Sequence, residues 1–386
     1  MLGDNISIIS EKDCYGCGSC SVVCEKCITL SLNSDGYYKR MFNGSECIGC
    51  GKCLKVCPVH SIPDKIKTSP SCVAYCKKRS DVIESTSGGI AYQIAVDYLD
   101  LGYVVIGAAW SDDCRTVHHI VVRDKNDLQK LRKSKYVQSY IADAFKQIRD
   151  LEKVVVFGTP CQIAGIRNLY GNREGLILID FDCMGPAGLQ VWHKYMAYLD
   201  GINNSGIKSV SMRNKKKSWM QYGTKVKFND GEEYFQDKFH DPFCIVFNFA
   251  HVIQSTCIDN CKFLNDSMSD LRIGDAWHYT DGYKKEQIHD GLSVVTPQTI
   301  VGRKVLDTIA EHVVLDEVNR IPQEKNFIAG NDVVESIRDP QQTIMDAVRI
   351  YKSSGVFSKL LRSISWYISS NDLLFLSIKR LLRFFN

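Results

Sequence analysis

Val154-Val-Val-Phe-Gly-Thr-Pro-Cys161-Gln-Ile-Ala-Gly165, followed by Leu176-Ile-Leu-Ile-Asp-Phe-Asp-Cys183, is the stretch on which the fold turns. A β-branched run ends in glycine, threonine and proline, a helix start follows, and a second apolar run comes after it. That order is the pattern of buried strands joined by a helical crossover, hence of a parallel sheet. In an open parallel sheet, neighbouring strands bring their C-terminal ends to one edge, so Cys161 and Cys183 are expected to converge there. Cys161 also falls near a helix N-terminus, where free N–H groups and the helix dipole favour a thiolate or an anionic cluster. A further close pair, Cys257 and Cys261, brings the thiols to the four that one 4Fe-4S cluster requires.

Outward from this stretch the alternation continues. Residues 89–101 have helical periodicity, 103–109 read as a buried strand, and 139–151 as an amphipathic helix. Beyond about residue 205, runs such as 224–228 with glycine and aspartate turns read as antiparallel strands. The expected class is α/β mixed with α+β parts. With 386 residues the chain has material for two or three domains. The boundaries expected are 1–65 for a small N-terminal module, set off by a polar stretch at 63–70, then 66–350 for the large domain and 351–386 for a helical tail.

The N-terminal module is defined by cysteine. The chain has 17, and nine of them lie between Cys14 and Cys57. Cys14-x2-Cys17-x2-Cys20-x3-Cys24 recurs as Cys47-x2-Cys50-x2-Cys53-x3-Cys57, followed by Pro58. Such runs are the ferredoxin spacing for paired 4Fe-4S clusters, in which three close thiolates grip one cluster and the fourth reaches the other. Cys14, Cys17, Cys20 and Cys57 are thus assigned to one cluster, and Cys47, Cys50, Cys53 and Cys24 to the second. Structural zinc takes two pairs split by a loop, whereas four cysteines within 11 residues would crowd one tetrahedral ion. Glu25 stands where the second run has proline, and Cys27 is a spare thiol. Cys72, Cys76, Cys114 and Cys244 belong to no run, and core packing is their expected role.

Charge and hydropathy exclude several classes. The net charge is only +4, which is no nucleic-acid polycation. Residues 1–13 carry no secretory apolar region, so the thiols are expected to be reduced and the chain cytoplasmic. No run is long and apolar enough to span a bilayer. In 351–386, six basic residues face Asp372 alone, with aromatic residues between them. That tail is expected to dock on the domain or on a partner subunit, with peripheral contact to an anionic membrane surface as the alternative.

Taken in order, Thr86-Ser87-Gly88-Gly89, Ser134-Lys135-Tyr136-Val137-Gln138-Ser139, Gly158-Thr159-Pro160-Cys161-Gln162, Cys183, Cys257 with Cys261, and Gly274-Asp275-Ala-Trp277 resemble the blocks of the coenzyme F420 hydrogenase/dehydrogenase beta-subunit family, which includes the 7-hydroxymethyl chlorophyll a reductases. The likeness runs over roughly residues 70–310. It implies an FAD-binding domain behind the ferredoxin-type module, and a third 4Fe-4S cluster on Cys161, Cys183, Cys257 and Cys261. It departs from the family at Cys183-Met-Gly-Pro, where relatives often show Cys-His-Gly-Val-Pro. By the resemblance, Ser87, Gly88 and Gly89 at a helix start hold a flavin phosphate, and Lys135, Tyr136, Ser139 and Thr159 line the cofactor. Coenzyme F420 itself is a candidate second ligand, and His278 a candidate proton donor; no catalytic acid or base is legible.

Clusters pass single electrons while a flavin handles two, so the expected function is an iron–sulfur flavoprotein oxidoreductase. It would draw on reduced ferredoxin or another redox protein and act on a small organic substrate or a deazaflavin. A non-catalytic electron-transfer subunit of a larger complex is the alternative.

Overall fold

The structure, a computed structural model, describes residues 4–62, 70–259, 261–319, 321 and 331–354. The expected boundary at 65/66 and the tail from 355 onward lie outside the described residues. Residues 351–353 belong to the end of a helix, Ile344–Ser353, that begins well before the expected tail.

In the N-terminal module, β1 (Ile28–Leu32) pairs antiparallel with β2 (Tyr38–Phe42). Two five-residue helices, Ser19–Val23 and Lys52–Val56, flank the hairpin as the two copies of the repeat. Each helix starts at a left-handed glycine, Gly18 at φ 75° and Gly51 at φ 70°, a conformation a side chain would strain.

The remaining strands are β3 (Ser71–Cys76), β4 (Val104–Trp110), β5 (Val117–Val122), β6 (Ser139–Tyr140), β7 (Val154–Gly158), β8 (Leu176–Phe181), β9 (Ile207–Asn214), β10 (Gly223–Phe228), β11 (Glu233–Asp237), β12 (Leu271–Asp275), β13 (Ser293–Pro297) and β14 (Val313–Val318). Among the described residues they form a nine-stranded sheet in the order β14-β3-β13-β12-β8-β7-β4-β5-β6 and a three-stranded antiparallel sheet β11-β10-β9. The centre of the large sheet, β12-β8-β7-β4, is parallel, and β13, β3 and β14 extend it antiparallel. The mixed class follows from this split: the parallel centre needs helical crossovers, whereas the antiparallel flank and small sheet do not.

The central strands are apolar throughout because both faces are covered; all five residues of β7 are buried. Helix Ile90–Asp100 packs Ile90, Ile94 and Tyr98 inward on one face, and helix Pro160–Tyr170 lies against β7 and β8. Helix Leu189–Ile202 carries Trp192, Tyr195 and Met196 into a separate core with the small sheet.

One expected element differs. Residues 139–151 are not a single helix: Ser139 and Tyr140 pair in parallel with Val117 and His118 as the edge strand β6, and the helix runs only Ala142–Gln147 before tightening to a 3-10 turn at Ile148–Asp150. Tertiary pairing overrides the helical periodicity of the first two residues.

Candidate functional site

The first cavity lies inside the N-terminal module. Cys14, Cys17, Cys20 and Cys57 line it together with Tyr15 and Arg40. The chain can wind this tightly only because Gly16, at φ 70°, lies where a Cβ would stand 2.0 Å from the Tyr38 carbonyl oxygen. Burial, then the neighbouring Cys57 thiol, pushes the Cys17 thiol up to about 12, and burial raises Cys20 and Cys57 as well. Thiols buried as Cys17, Cys20 and Cys57 are cannot ionise together in water-poor surroundings without positive charge among them. That donor set fits a cationic iron–sulfur core.

Of the second group, Cys53 is buried, Cys24 and Cys47 are half-buried, and Cys50 is exposed. Cys57, the fourth cysteine of the second run, stands with Cys14, Cys17 and Cys20 of the first, and Cys24, the fourth of the first run, lies near Cys53 of the second. Cys27 is buried beside Cys24; burial and that neighbouring thiol push it up to about 11. Among the described residues, no three His, Cys, Asp or Glu side chains gather tightly enough for a single metal ion.

The second cavity, of about 610 Å³, opens at the C-terminal edge of the parallel strands. Cys161 follows β7 and Cys183 follows β8; Cys257, on helix Ser255–Asp259, and Cys261 come from a distant segment to the same cavity. A Cβ on Gly185, at φ 103°, would stand 2.8 Å from Cys257 Cβ, so that glycine lets the two segments close up. Thr159 caps helix Pro160–Tyr170: Gln162, three residues on, accepts from the Thr159 N–H at 2.9 Å, and Thr159 Oγ1 lies 3.4 Å from Cys161 Sγ.

Ser87, Gly89, Lys135, Tyr136, Ser139 and Thr159 all line this cavity. Gly88 sits behind it: its N–H donates to Ser293 Oγ at 2.9 Å, and a Cβ there would lie 2.3 Å from the Ala74 carbonyl oxygen. Helix Ile90–Asp100 has no side-chain cap, and Ile90, Ala91 and Tyr92 of its first turn border the cavity, leaving unclaimed N–H groups of the kind that bind phosphate. The Lys135 ammonium is committed to the backbone. It donates to the carbonyls of Lys130, Leu131 and Arg132 at 2.9–3.0 Å, finishing the helix Leu128–Leu131, and burial lowers it to about 7. Ser139 Oγ accepts from Gln162 Nε2 at 3.2 Å. His278 is not among the residues lining the cavity.

Two features escape the sequence. His119, on β5, borders the cavity with Nε2 3.1 Å from the Phe157 carbonyl oxygen, which assigns the proton to Nε2; Nδ1 is buried without a hydrogen-bond partner among the described residues. Burial lowers this histidine to about 4, so it is neutral at pH 7. Arg213, on β9, forms a two-pronged pair with Asp275, both contacts at 3.1 Å, and donates to the Tyr136 hydroxyl at 2.9 Å. Trp219 stacks on Trp277 at 4.2 Å and donates from Nε1 to Asp275, while Tyr136 stacks on Phe247 at 4.6 Å. Asp275 and Trp277 belong to one of the sequence blocks; Arg213 and His119 have no signal there, because only the packing of β9 and β5 brings them in.

The two cavities share a wall. Tyr15 lines both, its ring against Phe263 and its hydroxyl accepting from the Lys262 N–H at 3.1 Å. Gln254 Nε2 donates to the Cys14 carbonyl at 2.9 Å and Thr256 Oγ1 to the Lys12 carbonyl at 2.6 Å, tying the segment that carries Cys257 to the loop that carries Cys14. Lys39 is buried in that seam, donating to Thr256 Oγ1 at 3.4 Å and to the Cys14 carbonyl. Behind Cys261, the fully buried Arg272 pairs with Asp180 at 2.8 Å and donates to the carbonyls of Phe263, Leu264 and Asp266, fixing that loop.

Comparison with known proteins follows the same division. Residues 151–322 match the family model for the C terminus of the coenzyme F420 hydrogenase/dehydrogenase beta subunit, and residues 7–64 match the 4Fe-4S dicluster domain. The coenzyme F420-dependent sulfite reductase of Methanocaldococcus jannaschii is 35% identical over 165 residues, 42% of this chain and 26% of that protein. The match thus spans about a quarter of that relative's length. One polypeptide in the structure of the F420-reducing NiFe hydrogenase complex from Methanosarcina barkeri aligns with a TM-score of 0.46 at 17% identity, over 76% of this chain and 96% of that one. No helix among the described residues is long and apolar enough to cross a membrane. The chain thus carries, in order, a stretch similar to the 4Fe-4S dicluster domain, at residues 7–64, and one similar to the C terminus of the coenzyme F420 hydrogenase/dehydrogenase beta subunit, at residues 151–322.

Proposed function

We propose that the chain is an iron–sulfur flavoprotein oxidoreductase, in which single electrons from reduced ferredoxin or another redox protein are gathered, by way of three 4Fe-4S clusters, on FAD for two-electron exchange with a small organic substrate or a deazaflavin coenzyme. The observation that carries this reading is the shared wall. A cavity of about 610 Å³, within the range of cofactor sites, has four cysteines and an uncapped helix N-terminus on its lining. It abuts the cysteine-lined cavity of the dicluster domain through Tyr15.

The chain's own residues would divide the work. Cys161, Cys183, Cys257 and Cys261 would hold the third cluster. The first turn of helix Ile90–Asp100, with Ser87 and Gly89, would bind a phosphate. Tyr136 on Phe247 and Trp277 on Trp219 present flat faces suited to a ring system. Burial raises the Tyr136 phenol, which therefore keeps its proton at neutral pH, and Arg213 fixes its oxygen. His119 offers Nδ1 as an acceptor and holds no second proton at neutral pH. A donor protein would approach where the second group's Cys50 is exposed.

The test is anaerobic purification of the full chain with iron, sulfide and flavin analysis. The reading expects about 12 iron and 12 sulfide per chain, as three 4Fe-4S clusters require, with one bound FAD and turnover of an artificial dye. Clusters without flavin or dye turnover would instead make the chain an electron relay; a zinc protein without sulfide would end both readings.

A further inference from the structure

We propose that Arg40 sets the reduction potential of the cluster assigned to Cys14, Cys17, Cys20 and Cys57 by donating from Nη1 to one of its sulfurs. The inference rests on the presence of that cluster, and its own ground is Arg40. The guanidinium is anchored by one prong: Nη2 donates to the Ile9 carbonyl. The other prong, Nη1, is buried with no hydrogen-bond partner among the described residues. A buried charged N–H group without an acceptor is costly and calls for a partner outside the protein's own atoms. Arg40 borders the very cavity that the four cysteines line. The guanidinium stands near both Cys20 and Cys57, close enough for its charge to act on what they hold.

The physical consequence concerns the order of the two N-terminal clusters. Reduction adds negative charge, and burial penalises that charge, so a cluster among the buried thiols of Cys20 and Cys57 resists its electron more than one reached by the exposed Cys50. Hydrogen bonds to the sulfurs and a nearby cation act the other way. On β2, Lys39 and Arg40 point to opposite faces: Arg40 borders the cavity, whereas Lys39 lies in the seam, where it donates to the Cys14 carbonyl and to Thr256 Oγ1 and its charge faces Cys14 and Cys257. Beside the second group stands a carboxylate instead, Glu46, close to Cys27. Arg40 therefore offsets the burial of the inner cluster, keeping it able to accept electrons from the outer one.

The experiment is an anaerobic redox titration of the full reconstituted chain, followed by electron spin resonance, with the outer cluster's signal identified through Cys50→Ser. In Arg40→Gln the inner cluster's reduction equilibrium is expected to move about tenfold toward the oxidised form, about 59 mV for a one-electron couple, with the outer cluster unmoved. In Arg40→Lys, which keeps the charge but has a single nitrogen to share between Ile9 and the cluster, a shift of about threefold in the same direction is expected. An inner-cluster midpoint unchanged in Arg40→Lys overturns the proposal even if Arg40→Gln fails to hold the cluster, and so does an equal shift of both clusters. Absence of iron from the wild-type chain would instead overturn the functional reading on which this inference stands.

Discussion

In the N-terminal module, three of the four cysteines proposed for each cluster sit within seven residues of one another, on a loop whose glycines let it curl. In the large domain, the four proposed ligands run from Cys161 to Cys261 and reach one cavity from the ends of β7 and β8 and from helix Ser255–Asp259 with the loop after it. The first arrangement is local chain geometry; the second exists only once parallel strands align their C-terminal ends. A site of the first kind depends on a few left-handed residues, whereas one of the second kind depends on every contact that positions its loops. The seam at Gln254, Thr256 and Tyr15 makes the two adjoin without making them alike.

The sharpest way to break this contrast is Cys161→Ser. It is expected to lower iron by about four per chain, one 4Fe-4S cluster, and to abolish flavin reduction while the spin-resonance signals of the dicluster domain persist. Loss of all three signals would show that the local sites depend on the distant one.

Asp180→Ala comes next. It leaves Arg272 buried and unpaired, at an expected cost of about 3–5 kcal/mol, and frees the loop after Cys261 that Arg272 clamps through three carbonyls. Denaturant unfolding should show the loss, with the third cluster more labile than the other two; equal lability would weaken the claim that only the large domain's site relies on remote contacts.

His119 sharpens the comparison through pH. Its folded value, about 4, is below the ordinary 6.5 because burial disfavours the cation. Between these values the unfolded chain binds the extra proton and the folded chain does not, so stability rises with pH across this window and is fully restored above 6.5. Acidification across that window should cost about 3 kcal/mol from this group, and His119→Gln should flatten that part of the stability curve. An unchanged slope would mean the cavity is wetter than its lining implies.

The smallest effect is expected at the seam. Gly165→Ala would place a Cβ 2.0 Å from Ser19 Oγ and 3.3 Å from Cys17 Sγ, pushing helix Pro160–Tyr170 off the N-terminal loop. Overpacking of this kind costs about 1–3 kcal/mol, and Ser19→Ala in the same chain should recover part of it, as read by unfolding midpoints in a double-mutant cycle. Full additivity of the two changes would mean that the seam yields without strain.

Much of the architecture is legible in the residues. Residues 176–181 read as a strand and form β8 with those bounds; the apolar run at 176–179 reports a strand covered on both faces. The helix at 89–101 and the antiparallel run at 224–228 are readable for the same reason, since periodicity reports which faces are covered. At 139–151 the pattern misleads, because Ser139 and Tyr140 obey a strand partner that lies elsewhere in the chain. Lys135 does line the larger cavity, but sequence carries no information on where an ammonium's three donors go; the carbonyls that take them belong to a helix end just before it.

Spacing alone determined the chemistry of the N-terminal module, since ligands a few residues apart need only a tight loop to meet, and the alternation of apolar runs with helical periods made the chain a mixed α/β protein. Tertiary structure decided which cysteines of the large domain share a cavity, that Arg213, His119 and Arg40 border the two cavities, and that Tyr15 stands between them. These residues are far apart in sequence, and no local periodicity encodes their meeting; only the register of the sheet and the packing of the module upon it bring them within contact.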